Sequence, residues 1–505
     1  MRKFILLTAV LIVPAFAGSA GAGDFMDTRI TWTFGDEDLL HDSGEILPDT
    51  PKLGIGDRKG YELFMDNLNL RTTGRENQTH LVMYKKLPAF FPHLYTEAAL
   101  VMQIDFAVME GSSNPNSGDV LTDDGSYLKI GYTFDENDES KGVFFTFFPF
   151  DTERFRLGYL WDMSWGGGGL FTSKKTGPAP GAKLELKVGK LNLYTGFKTA
   201  RVSQTVKLGD AETEEITVQE TNYGFLGGGG IDIGEYFRFD VGGGFFQQGT
   251  FNFEGLIGTK VYTFGTSARL TLHKGLDVPM SIDYMLYRND PSVNVIEWGK
   301  EKYEPGKFSY SLAIEGTALW QHLSNPDVYA GTELQPAYAA SLQLRFKYGY
   351  FRGLFTGLYR NLEFILHNVP SLTPFVAISD GAEKTSEKFF SASFDYHFPA
   401  LHLTPSITAG VQFPATYSSP GSDVVQVIRN EDRRDRLPEG FDMKPIYGLR
   451  FGLQWDLSDI LSVFTNVQYV HDENLTRLKI DESGQKRVFS SSEQFGFYFV
   501  TRAKF

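Results

Sequence analysis

Segment after segment of this chain, each about ten residues long, alternates apolar and polar side chains with a period of two. Leu342, Leu344, Phe346 and Tyr348 share one parity, and Ser341, Gln343, Arg345 and Lys347 hold the other. Phe390, Ala392, Phe394 and Tyr396 alternate with Ser391, Ser393, Asp395 and His397, and Tyr447, Leu449, Phe451, Leu453 and Trp455 with Gly448, Arg450, Gly452 and Gln454. Strands send successive side chains to opposite faces, whereas a helix groups residues three and four apart. The chain is therefore built of strands with one greasy and one wetted face.

Composition agrees. Among 505 residues, 44 Phe and 24 Tyr raise aromatics to 15%, yet charged residues still make up 22%, so apolar groups are dispersed rather than gathered in runs. The absence of cysteine excludes disulfide frameworks, thiolate metal sites, iron–sulfur clusters and cysteine nucleophiles. A net charge of -14 with no basic run argues against a nucleic-acid partner.

The strands come in pairs joined by tight turns at Gly189–Lys190, Ile233–Glu235, Gly349–Phe351, Pro399–Leu401 and Asp456–Asp459. Long polar stretches separate the pairs at 107–125, 162–180, 291–306, 367–386, 414–444 and 473–490. Short turns on one rim and long loops on the other describe a transmembrane barrel. The expected fold is all-β: an antiparallel up-and-down β-barrel of 16–22 strands, with 18 or 20 favoured. The loop rhythm breaks around 134–154 and 290–336.

Both ends of the chain carry an address. Arg2 and Lys3 precede an apolar run, Phe4 to Val13, too short to span a bilayer, and Ala15-Phe16-Ala17 or Ala20-Gly21-Ala22 offers small-residue cleavage sites. Residues 1–22 are thus expected to be a secretory leader. Residues 23–78 read as an N-terminal strand plus a long acidic loop, and 79–505 as the rest of the barrel, closed by a strand over 492–505. In that strand Phe495, Phe497, Phe499 and Phe505 share a parity opposite to Gln494, Tyr498, Arg502 and Lys504.

This terminal aromatic strand, with the leader and the alternating hairpins, resembles the Gram-negative outer-membrane β-barrel (porin-like) proteins. Ala503 departs from the aromatic often found two residues before the end of such chains, and Thr501 is only weakly apolar. The resemblance implies insertion in the cell outer membrane, contact with lipid and lipopolysaccharide, delivery by the barrel-assembly machinery through the C-terminal strand, and assembly as a homo-oligomer. It leaves the subfamily open.

In lipid every backbone N–H and C=O must be paired within the protein, which for strands requires a closed ladder. The polar parity then faces inward. That parity contains Arg154, Arg156, Lys183, Lys187, Arg238, Arg269, Arg345, Lys347, Arg450 and Arg502, opposed by Glu185, Asp240, Asp283 and Asp395. The acids are expected mainly in loops such as 135–140 and 210–215. Trp161, Trp165, Trp320, Trp455 and Tyr469, near strand ends, are expected at the headgroup layer.

A barrel of this size encloses water unless loops fill it. The leading expectation is a passive pore for small hydrophilic solutes, with anions favoured by the lumen cations. The competing view of those cations is a ladder of cross-strand ion pairs. Two other functions fit the same pattern: an exopolysaccharide-export pore with a periplasmic partner, and a non-conducting adhesion barrel plugged by 35–78 or 414–444.

No enzyme, cofactor or metal is expected. His397 and Asp395 lie two apart on one strand face and project in parallel. Gly166–Gly169 and Gly227–Gly230 lack the Gly-Lys-Ser/Thr of a phosphate loop and read as places for strand bending and close packing. The acidic clusters at 36–42, 119–124 and 135–139 lack calcium-loop spacing and read as solvated.

Overall fold

The computed structural model describes residues 27–36, 39, 75–87, 90–105, 120–123, 125–135, 138–150, 152, 155–167, 179–207, 215–251, 254–276, 304–367, 375–429, 434–458, 460–481 and 484–504. The expected leader, nearly all of the acidic loop within 35–78, Arg154, Asp283 and Phe505 lie outside the described residues.

One sheet of 19 strands dominates. Of these, the three-residue strand Leu121–Asp123 is a short addition to one neighbour, and the other eighteen make a wall. They are β1 (Asp27–Asp36), β2 (Arg75–Leu87), β3 (Leu94–Asp105), β4 (Tyr127–Asp135), β5 (Asp138–Phe148) and β6 (Gly181–Val188). There follow β7 (Leu191–Lys207), β8 (Glu215–Ile233), β9 (Phe237–Thr250), β10 (Lys260–Lys274), β11 (Glu304–Ser324) and β12 (Thr332–Gly349). The last six are β13 (Phe351–Arg360), β14 (Glu387–Tyr396), β15 (Leu403–Phe413), β16 (Ile446–Asp456), β17 (Leu461–His471) and β18 (Glu493–Lys504).

Each strand pairs antiparallel with its neighbours in the chain. β1 also pairs with β18, from Arg29 opposite Lys504 to Asp36 opposite Phe497, which closes the ring. Closure removes the open edges that lipid does not tolerate. Eighteen is one of the two favoured counts, and an even count returns both termini to one rim.

With directions alternating, the links at 88–93, 136–137, 189–190, 234–236, 350, 397–402 and 457–460 fall on one rim, and the longer ones on the other. This resolves both irregular stretches. Only two residues separate the paired strands β4 and β5 at 135–138, so the acidic cluster around Asp135 belongs to the turn rim rather than to an outer loop. The expected outer loop at 291–306 belongs to the connection between β10 and β11, which also joins strand ends on the turn rim.

Burial follows strand parity. On β12, Leu334, Tyr338 and Leu342 are exposed outward while Gln335, Ala337, Ala339 and Ser341 are buried inward. At the closing seam the outward rings of Trp32 and Phe499 meet edge to face at 6.1 Å, and Phe34 approaches Phe497 at 5.6 Å. On the loop rim a four-stranded sheet joins Glu383–Lys384 to Ala415–Ser418, Gln426–Ile428 and Arg434–Arg436 of the 414–444 segment.

Candidate functional site

The lumen is the enclosed space that a closed ring creates, and among the described residues two long links fold into it. The first joins β5 to β6. Its described part, 155–167, makes a short bridge between Leu157 and Trp165 and a 3-10 turn at Trp161–Met163. Phe155, Leu157, Leu160, Met163 and Trp165 form one buried cluster with wall residues Leu226, Phe246, Leu319, Ala337, Leu358 and Phe389. Those wall residues belong to β8, β9, β11, β12, β13 and β14, so the segment lies across a large arc of the inner surface. Each large apolar side chain buried in this way contributes about 1.5–3 kcal/mol.

Glycine makes the room. A side chain at Gly196 would stand 2.6 Å from the Phe155 ring, and one at Gly242 would stand 2.8 Å from Leu157. Gly244 likewise clears Leu157, and Gly228 clears the Tyr194 hydroxyl. The run Gly227–Gly230 in β8 thus serves close packing against a neighbouring backbone and side chain.

Charged and polar wall residues fix the segment's backbone. Glu315 accepts hydrogen bonds from the N–H groups of Tyr159 and Leu160 at 2.9 and 3.0 Å. Lys198 donates to the carbonyls of Thr152, at 2.6 Å, and Gly166. Arg360 reaches the carbonyl of Asp162 at 3.3 Å, and the Trp165 indole N–H donates to Ser267 Oγ at 2.9 Å. The Arg269 guanidinium lies 4.0 Å from the centre of the Tyr159 ring.

The second inward link joins β13 to β14. Asn361 caps the short helix Leu362–Ile365 by accepting from the Phe364 N–H at 3.0 Å, as a short polar side chain at a helix start does. Gln248 and Gln321 both donate to the His367 carbonyl, and Gln335 accepts from the Ile378 N–H at 2.7 Å. Phe364 joins the cluster around Trp165, so the two links pack together.

The outward surface has the opposite character. Ile314, Leu342, Phe390, Phe451 and Val467 are each at least half exposed, and they recur at alternate positions around the ring. No helix among the described residues is long and apolar enough to cross a membrane. An apolar belt of this extent around a closed ladder with a polar interior matches lipid, not water. The fold is a transmembrane β-barrel.

No family model and no curated protein matches the chain. Solved structures similar to it include Pseudomonas aeruginosa OccK3 (OpdO), at 9% identity and a TM-score of 0.43 over 95% of each chain. P. aeruginosa OccK2 (OpdF) in complex with glucuronate has 8% identity and a TM-score of 0.45 over 95% of this chain and 98% of that one. A BenF-like porin from Pseudomonas fluorescens Pf-5 has 8% identity and a TM-score of 0.44 over the same shares. The closed ring and its belt, not these distant likenesses, carry the reading of the barrel.

The lumen candidates separate into three groups. Lys183, Lys187, Arg238, Arg269, Arg345, Lys347 and Arg450 sit at inward positions of β6, β9, β10, β12 and β16. Arg156 is inside the barrel but not on its wall: it is buried in the inserted segment and donates to the Ser164 carbonyl at 3.0 Å. Arg502 is in β18 opposite Ser462, its side chain outside the described residues.

Several of these cations have acids beside them. Arg238 bridges Asp232 and Asp240, each at 2.9 Å, Arg269 joins Asp240 at 2.9 Å, and Lys187 stands 3.8 Å from Glu185. Asp395 accepts from Arg352 at 2.8 Å, while His397 shares a hydrogen bond with Thr404. Glu97 gathers the hydroxyls of Tyr84, Tyr95 and Tyr127, with Lys129 at 3.7 Å.

Three expectations are overturned. Trp165 is not at the headgroup layer but wholly buried inside the barrel, because its ring fills the space beside Phe246 and its N–H finds Ser267. Trp161 lies in the inserted 3-10 turn rather than at a strand end. Residues 162–180, taken as an outer polar loop, begin within the inserted segment. Glu315, Lys198, Arg360 and the three glutamines escaped notice, although their inward parity on β11, β7, β13, β9 and β12 was there to be read.

Proposed function

We propose that this barrel is a narrow pore through which small hydrophilic solutes cross the outer membrane by passive diffusion, constricted by 155–167 and the 361–367 turn. The observation that carries the reading is the ring of eighteen strands with a polar, charged inner face. Inward cations outnumber inward acids among the described wall positions, which favours anionic solutes as the cargo, since lumen charge tunes selectivity. Reversal potentials across planar bilayers under a salt gradient test this; a potential of the cation-selective sign overturns the anion preference.

A second reading, a non-conducting plugged barrel, has its own support. Lys198, Ser267, Thr263 and Gln321 face inward yet have no exposure, because the inserted links lie over them. Stable unitary current steps from the folded protein favour the pore, and silence from protein with normal heat-modifiable mobility favours the plug.

A further inference from the structure

We infer that Glu315 is the positioning residue of the constriction: its carboxylate holds the 155–167 segment across the lumen, and releasing it widens the pore. This rests on the pore reading. Glu315 is 4% exposed on the inner face of β11 and gives both carboxylate oxygens to consecutive backbone N–H groups, those of Tyr159 and Leu160. Hydrogen bonds from backbone N–H groups to an ionised acceptor are about twice as strong as neutral ones. They fix a backbone position, not merely a side chain.

The local backbone is shaped for this grip. Gly158 has φ +98, a conformation that L side chains rarely adopt, and a Cβ there would stand 2.9 Å from the Ser164 Cα and 3.3 Å from Glu315 Oε1. Glycine therefore turns the chain so that the next two N–H groups point at the wall.

A charged cluster lies beside the carboxylate. Arg269 is directly opposite Glu315 in the pairing of β10 with β11. It lies over the Tyr159 ring and is itself held by Asp240, which also accepts from Arg238. Two of the cations in the anion-attracting set, Arg238 and Arg269, are thus committed to the loop's anchorage as well as to the lumen's charge. The anchoring points elsewhere, Lys198 and Arg360, contact the carbonyls of Thr152, Gly166 and Asp162, whereas Glu315 holds the segment through two N–H groups at the turn.

The test is single-channel recording of the full-length wild type, Glu315→Gln and Glu315→Ala, with sugar-permeation size limits. Glutamine keeps one acceptor and loses the other, so unitary current is expected to rise from wild type to Gln to Ala, by roughly twofold or more at Ala. The admitted sugar size rises with it. A Thr408→Ala control, which removes the hydroxyl shared with Ser393 on the β14–β15 wall pair rather than a contact of the 155–167 segment, leaves the current unchanged.

Because the chain has no cysteine, a Leu157→Cys/Gly242→Cys pair tethers the segment to β9. In the Glu315→Ala background, oxidation is expected to restore wild-type steps and reduction to abolish that rescue. Unchanged current in folded Glu315→Ala, or a widened current that the oxidised tether does not reverse, overturns the inference. Silence from wild type and Glu315→Ala alike, with both folded, overturns the pore reading instead.

Discussion

Trp165 and Ser267 are joined inside the barrel, the indole N–H 2.9 Å from a hydroxyl that also shares a 2.9 Å hydrogen bond with Thr317. A fully buried tryptophan of the inserted segment is therefore tied to a polar strip on β10 and β11. Trp165→Phe leaves Ser267 its Thr317 partner and keeps the contact with Phe246, so its cost is about 1 kcal/mol. Trp165→Ala opens a void beside Phe246 and costs about 3–5 kcal/mol. Denaturation midpoints of the detergent-folded protein check the ranking; equal shifts would remove packing as the explanation.

The glycine-paved wall makes a second contrast. Gly242→Val places methyl groups where Leu157 and Tyr194 already lie, and overpacking of this kind costs about 1–3 kcal/mol. Gly316→Ala meets nothing within 4 Å and is exposed, so its effect stays within about 0.5 kcal/mol. Accessibility of cysteines placed at Leu160 reports whether the valine lifts the segment from the wall.

Strand parity is testable by neighbours that differ only in the face they occupy. Leu342 is half exposed on the lipid face, and Leu342→Arg is expected to cost about 2–4 kcal/mol near the membrane midplane. Gln343, one residue on, faces the lumen beside Thr356, and Gln343→Arg changes selectivity with little loss of stability. Refolding yield into lipid, read by heat-modifiable gel mobility, separates the two; equal yields contradict the assigned parity.

The wall was legible because its rule is local. A period of two marks every strand whose faces meet lipid and lumen, and in β12, β14 and β16 that rule fixes which side chains point where. The inserted segment obeys no such rule. Phe155, Leu157, Leu160, Met163 and Trp165 are spaced to fit surfaces contributed by six distant strands, so neither helical nor strand period betrays them, and Trp165 looked like an interfacial ring. What signal existed was indirect: an apolar link amid polar ones, and glycines at inward positions of β7, β8 and β9. The inward parity of Glu315 was readable but its role was not, since its partners are backbone groups more than 150 residues away.

On the loop rim, Arg429 binds two neighbouring links together. It donates to Asp435 at 2.9 Å within its own link and to Asp472 in the next, and all three are buried. Burial by itself lowers the pKa of Arg429, but the nearby charges of Asp472 and Asp435 outweigh it and raise the value. A raised folded pKa contributes stability that is complete below the unfolded value and lost only as pH climbs through the folded one; for arginine both lie above about 12. Alkaline buffer up to pH of about 10 therefore leaves this clasp intact. Arg429→Ala strands two buried carboxylates and is expected to cost about 3–5 kcal/mol of local stability. Limited proteolysis of intact cells reads it, with new cleavage expected in 414–445 and 472–492 while the barrel stays folded. An unchanged digestion pattern in Arg429→Ala would show that the apolar contacts of Ala415 and Ile428 with Leu362 and Ile365 hold these links without it.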